Sequence, residues 1–399
     1  MDSKIKLTYL SVTISGMSLL ASYGIIRPIS NSLFLSYLKA EDMFWGMAIL
    51  PILVTLLMFP YGFLLERSGP LKTVWLTTLL SLLLLIFPFF IRKKETVFIL
   101  YIWKDAFIVL LLEQFWAFVN SIATVDKGKR FYGYLLLLGS IGAIMGNQAV
   151  ANFVESIGSW NLYLIGSLIV SLFIIPLHIA YRLAKSPRIS IDRDKRIKSL
   201  SGVSLFFKNP YLITIAGLVT MDQIVVATLD VSFHHTLSTA FLSQDHLSSF
   251  EGRFWSWVNG GSLFLQLITP SILKVVDIRW IHLFIPLTQL LTIGSTLIYP
   301  TLITSSIAFA WIKIVDYSIF KASKEILYIP LDFDSRYKAK LLIDMVIYRA
   351  TKGLTGLSFS LITKLVLKVA PILSPIALIS SILWCIVGEK AGREFRKIS

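Results

Sequence analysis

The chain holds one cysteine, Cys385, in 399 residues. That excludes a disulfide framework and any cysteine-built metal centre. Its five histidines are scattered and no His-Glu-x-x-His ligand pair occurs, so no metal is expected. No Gly-x-x-x-x-Gly-Lys-Ser/Thr loop is present to cradle phosphates for hydrolysis. No nucleophile stands beside a base. Neither an enzyme nor a cofactor is therefore expected. Charge is scarce as well, at 15% of residues, and the shortage is mostly acidic: 23 Asp and Glu against 38 Lys and Arg, for a net charge of +15.

Apolar residues are what the chain has instead. They make up 55% of it, the mean hydropathy is +0.74, and apolar runs recur from end to end. A helix that is apolar all round belongs in a bilayer, and one crossing needs roughly 20 such residues. Twelve segments qualify, six between residues 7 and 182 and six between 210 and 388, with the first read as an uncleaved helix. A +15 charge in a soluble chain would point to nucleic acid. Here the basic residues gather between apolar runs, which points to lipid headgroups and topology, and no nucleic-acid partner is expected. Their bias places both termini on the cytoplasmic side.

The stretch from Arg182 to Lys208 carries eight basic residues and several serines. It reads as a connector on anionic headgroups. The expected domains are thus residues 1–182, a linker at 183–208, and residues 209–399. The halves echo each other. Thr13-Ile-Ser-Gly-Met resembles Thr214-Ile-Ala-Gly-Leu. Each half also carries a basic exit followed by spaced glycines: Gly139, Gly142 and Gly146 in one, Gly353 and Gly356 in the other. Such spacing lets helix backbones approach closely. The expected fold is an all-α membrane protein with 12 transmembrane helices in two six-helix bundles. That is the plan of the major facilitator superfamily, in which substrate binds near the midplane.

A charge in hydrocarbon costs at least roughly 2.5–3.5 kcal/mol, so intramembrane charges mark substrate or ion paths. Arg27 is such a charge in the first span, Asp105 and Glu113 in the fourth, Asp222 and Asp230 in the seventh, and Lys313 and Lys321 in the tenth. Shifting the fourth span by 208 residues lays Asp105 on Lys313 and Glu113 on Lys321, so opposite signs recur at equivalent depths. The plain alternative is that these charges pair and lock the helices, although desolvation offsets most of that attraction. His234 and His235 read as interfacial or loop residues.

At these motifs the chain resembles the ADP/ATP translocase family of plastids and obligate intracellular bacteria. Tyr317-Ser-Ile-Phe-Lys-Ala-Ser-Lys-Glu-Ile-Leu-Tyr-Ile-Pro-Leu-Asp332 agrees at ten of sixteen positions with the family's YSLFDPxKEMAYIPLD. Lys338-Ala-Lys, Ile343-Asp344 and Lys352-Gly353 fit the following stretch. Glu113-Gln-Phe-Trp, Lys129-Arg-Phe-Tyr, Asn209-Pro-Tyr-Leu and Leu229-Asp230-Val match others. The resemblance implies twelve spans and transport of nucleotides, as ATP/ADP exchange or related uptake, across a bacterial inner membrane or plastid inner envelope. It places Glu113 and Asp230 on the family's membrane glutamates, Arg27 on the Arg of its RDTKD motif, and Lys324 and Glu325 on its KE pair.

There are departures. RDTKD reads Arg27-Pro-Ile-Ser-Asn. The lysines expected near Tyr61 and Leu283 are replaced by uncharged residues, and the family's Asp-Pro becomes Lys321-Ala. A tri- or tetra-anion needs several cations around it where water is excluded. Arg27, Lys313, Lys321, Lys324, Arg349 and Lys352 remain to supply them. The expected partner is a nucleotide or another small anionic metabolite, with protons as a candidate coupling ion. The alternative is a proton-coupled symporter of a nucleoside or other small metabolite on the same fold.

Overall fold

A computed structural model describes residues 3–122, 125–184, 209–331, 340, 342–365 and 370–398. The expected linker lies almost wholly outside them. Every regular element among the described residues is helical. Among the described residues thirteen α-helices carry the fold: α1 (Ser3–Tyr37), α2 (Met43–Phe90), α3 (Lys94–Ile122), α4 (Val125–Ile157), α5 (Ser159–Ile169), α6 (Ser171–Leu183), α7 (Pro210–Ala240), α8 (Gln244–Val275), α9 (Ile278–Ile298), α10 (Leu302–Val315), α11 (Lys321–Leu327), α12 (Tyr348–Leu365) and α13 (Ala370–Ile398). Two wide π-helical stretches, Asp316–Phe320 and Leu342–Ile347, interrupt the run from α10 to α12.

Eight helical stretches among the described residues are long and apolar enough to cross a membrane. In lipid every backbone polar group must be satisfied internally, which is why apolar segments of this length become helices. Their outward side chains stay apolar and uncovered, as Phe59 is at 74% exposure. The stretch Ala40–Phe90 has 51 residues. At 1.5 Å per residue it would be roughly 75 Å long, more than twice the hydrocarbon thickness. Gly69 breaks it, at φ 73° and ψ 168°, a region essentially closed to residues with a Cβ. The basic stretch around Arg67 and Lys72 is therefore a kink and not a loop. The basic exit at 127–130 is likewise part of α4, whose helix begins at Val125.

Two compact units form. One comprises Met1–Lys39, Ile52–Ser190 and Phe241–Gly260; the other comprises Ala40–Pro51, Ile191–Ala240 and Gly261–Ser399. The start of α2 thus belongs with the second unit and the first half of α8 with the first.

In the first unit α1 is the hub, packed on α3, α4, α5 and α6. Ser15 and Ser22, two turns apart, donate to the carbonyls of Phe173 and Gly166, each at 2.7 Å. The spaced glycines of α4 lie on α1: a methyl on Gly142 would run into the Met17 carbonyl, and one on Gly146 into the Ala21 carbonyl. Both obstacles are backbone, which cannot rotate away. Gly146→Val is expected to destabilise the unit by about 1–3 kcal/mol, read as a lower melting temperature in detergent. An unchanged melting temperature would mean that α1 and α4 are not held this closely.

In the second unit α7 is the hub, packed on α10, α12 and α13, while α9 packs on α10 and α13. Gly356 meets the first turn of α2, where a methyl would lie 2.6 Å from the Phe44 carbonyl. The Phe44 and Phe359 rings stack there at 4.7 Å.

Candidate functional site

The second unit gathers most of the charges named above. Along α7, Asp222 is 1% exposed and accepts a hydrogen bond from the Gln223 side chain at 2.7 Å. Two turns on, Asp230 lies 2.9 Å from Nδ1 of His234. The same nitrogen is 2.7 Å from the Asp230 carbonyl, so with two acceptors of one residue in reach Nδ1 carries the proton. His234 is 2% exposed and sits inside α7, and His235 shares the helix and pairs with Glu41 at 2.9 Å. Neither is a loop residue, which corrects that half of the reading from sequence. The apolar run ends before them, but the helix continues to Ala240.

The lysines approach from the other helices. Lys313 of α10 is only 8% exposed. Its ammonium lies over the Phe309 and Tyr317 rings at 5.6 and 5.5 Å, and its charge acts on Asp222, Asp230 and Asp316. Asp316 opens the first π-helical stretch and feels Lys313, Lys324, Lys321 and Lys352. Lys324 of α11 pairs with Asp344 of the second π stretch at 2.6 Å. Lys352 of α12 acts on Asp230. π-Helical turns inside α-helices are frequent at functional sites because the wider turn re-aims side chains. Here the two stretches present Asp316 and Asp344 to the lysines. The first overlaps the segment that matched the family pattern best, and the second holds the Ile343-Asp344 match.

Asp230, Lys313, Lys321, Lys324 and Lys352 are thus joined in one network through Asp316. Glu325 is apart, paired with Lys340 at 2.6 Å on an exposed side. Arg349 is half-buried beside Tyr348.

The first unit holds a second polar chain. The Arg27 guanidinium lies 3.2 Å over the Trp255 ring and 5.8 Å from that of Tyr23. Tyr23 donates to Asp105 at 2.9 Å, and Asp105 pairs with the buried Lys104, also at 2.9 Å. On the other side Glu251, fully buried, accepts from the Trp255 indole at 3.0 Å and from Asn31 at 3.1 Å. Glu113 sits further along α3, exposed and within electrostatic reach of Tyr61.

Sequence reasoning passed over Lys104, Glu251 and Asp316. Asp316 carried the signal of an acid in an apolar run, between two lysines already named. Glu251 was obscured by Asp245, His246 and Arg253, which made its neighbourhood look like a loop. Its i,i+4 spacing to Trp255 was the available clue.

No cluster of three or more metal-ligating side chains occurs among the described residues. What the two networks offer chemically is anion binding by lysine and arginine, and proton exchange at carboxylates.

Three comparisons bear on the chain. It is 24% identical over 272 residues to the chloroplastic ADP,ATP carrier protein 2 of Arabidopsis thaliana, covering 60% of this chain and 44% of that one. It is 24% identical over 286 residues to ADP,ATP carrier protein 1 of Chlamydia trachomatis, covering 61% and 54%. It is also 24% identical over 351 residues to ADP,ATP carrier protein 5 of Rickettsia felis, covering 75% and 69%. The chain spans about half the length of the plant and chlamydial relatives it matches. Among solved structures it is similar to a point mutant of the nucleoside transporter NupG, with a TM-score of 0.73, 13% identity, and coverage of 98% of this chain and 99% of that one. It is similar to a D-xylose-proton symporter at a TM-score of 0.67 and 13% identity, covering 99% and 98%. At such identities the likeness concerns the fold, which is of the major facilitator type. The TLC ATP/ADP transporter family model matches residues 38–292 and 261–395, and the chain belongs to that family.

Proposed function

We propose that the chain transports nucleotides across a membrane by alternating access, as ATP/ADP exchange or related uptake. The observation that carries this reading is the lysine network of the second unit. Lys313, Lys321, Lys324 and Lys352 converge on one half-buried carboxylate, Asp316. Cations held in a water-poor helical bundle need anions, and phosphate oxygens would displace the carboxylates from them. Arg349 adds a further cation within the same unit, and Asp230 resets the network between states; Arg27 and Glu113 of the first unit, and the outlying Glu325, are assigned to substrate handling on the family resemblance alone. We count twelve crossings by dividing Ala40–Phe90 at Gly69 and adding α3, α8 and the stretch of α12 with its π-helical start. Both termini are placed on the cytoplasmic side of a bacterial inner membrane or plastid inner envelope. The direct test is uptake of labelled ATP and ADP by proteoliposomes preloaded with nucleotide. Saturable uptake that depends on the internal nucleotide is expected. A folded, oriented preparation that takes up no nucleotide would refute the reading.

One observation favours a second reading. The four lysines are matched by Asp222, Asp230, Asp316 and Asp344, so the network is close to neutral overall. That suits a ligand less charged than ATP, such as a nucleoside or other small metabolite taken up with a proton. Uptake that needs no internal nucleotide and collapses with a protonophore would select it.

A further inference from the structure

We propose that Asp222 is a proton-binding site whose occupancy is coupled to anion binding at Lys313 and Lys324. The proposal rests on the transport reading above and deepens it, because it assigns a second ligand and a place for it.

The geometry is specific. Asp222 lies in the middle of α7 and is 1% exposed. One carboxyl oxygen accepts from the Gln223 side chain at 2.7 Å. The other is buried with no hydrogen-bond partner among the described residues. An ionised carboxylate in this position leaves a charged oxygen with neither water nor donor, the costliest arrangement for a polar atom. A neutral carboxyl avoids that cost, and the Gln223 amide still satisfies its carbonyl oxygen.

The groups facing Asp222 set the coupling. They are Asp316 from the π-helical stretch, Lys313 from α10, Lys324 from α11 and Tyr348 from α12. The π-helical stretch Leu342–Ile347 also packs on α7 and carries Asp344, which is paired with Lys324; from α13, a further helix packed on α7, no charge is among the groups acting on Asp222. Gly217 contacts Val387 and Tyr211 is near Glu394, so the two helices run antiparallel. Ser380, Ser381 and their uncharged neighbours are then level with Asp222. On its own helix, Asp230 and His234 are two and three turns away. Among the described residues, the cations acting on Asp222 are therefore the two lysines proposed to take the anion. Burial and the Asp316 charge favour the neutral carboxyl, and the field of the two lysines opposes them by favouring the ionised one. An anion seated on them cancels that field and adds repulsion, so Asp222 takes a proton from solvent and returns it when the anion leaves. By linkage the proton must strengthen anion binding by the same factor.

The test is calorimetric titration of the full-length protein in lipid nanodiscs with ADP, in two buffers of different ionisation enthalpy, for wild type and Asp222→Asn. The Asn side chain mimics the neutral acid in shape. Wild type is expected to take up close to one proton more than the variant on binding. Its Kd should fall by up to about tenfold per pH unit of acidification relative to the variant. Comparing the two proteins removes the titration of ADP itself. Equal proton uptake and parallel pH profiles, with ADP bound by both, would overturn this assignment alone. Absence of ADP binding to wild type at any pH would overturn the transport reading and the assignment with it. Should the variant not fold, wild-type uptake is compared with that due to ADP alone, and no excess would overturn the proposal.

Discussion

Lys313→Gln is expected to lower nucleotide uptake by roughly 10- to 100-fold, because one charge-assisted contact to a phosphate oxygen is worth about 1.5–3 kcal/mol. The variant also leaves Asp222, Asp230 and Asp316 short of a cation, and an uncompensated buried charge costs about 3–5 kcal/mol. Lost uptake alone would therefore not separate binding from folding. The double variant Lys313→Gln, Asp316→Asn removes one charge of each sign and restores the balance. Its melting temperature is expected to recover most of what the single variant loses, while uptake stays low. Recovery of both would mean that Lys313 only compensates its neighbours, and the anion-binding role would fall. Uptake is measured in proteoliposomes with matched protein orientation.

Arg27→Lys is expected to cost about tenfold in uptake although the charge is kept, and Arg27→Ala about 100-fold. The reason lies in shape. At 3.2 Å from the Trp255 ring the guanidinium lies close over the indole, which restricts the directions in which its donors can point. A lysine ammonium is a point charge on a flexible stem and cannot reproduce that. Desolvated cation–π contacts contribute about 2 kcal/mol, in line with the expected loss for Lys. Pro28, the next residue, has no N–H, so the Gly24 carbonyl loses its helical donor one turn before. The stack on Trp255 is one of the contacts that orient the Arg27 side chain. Trp255→Leu should reproduce the Arg27→Lys defect, and the two together should cost little more than either alone. Wild-type uptake by Arg27→Lys would show that the stack plays no part.

Much of this was readable before any coordinates. Hydropathy is a property of consecutive residues, so the membrane helices and the charges inside them follow from composition along the chain. Arg27, Asp230 and Lys313 were picked out because an ion in an apolar run is visible without knowing its partner. His234 was read as an interfacial or loop residue for the converse reason. It lies past the end of the apolar run, and what covers it includes Phe309, a residue of another helix. Glu251 was missed because its neighbours looked hydrated. Their partners, such as Ser159 for Asp245 at 2.8 Å, come from 86 residues away.

The same division holds for the molecule as a whole. Local free energies, the cost of leaving a peptide group or an ion in oil, dictated a helical membrane chain with a few ions per span. Which ions meet is a matter of helix rotation and contact across long separations. Those choices put Lys324 against Asp344, set Arg27 on Trp255 and left Asp222 with one unsatisfied oxygen. No run of neighbouring residues encodes such pairings, because each depends on close packing of helices far apart in the chain, such as α1 on α4 or α7 on α13.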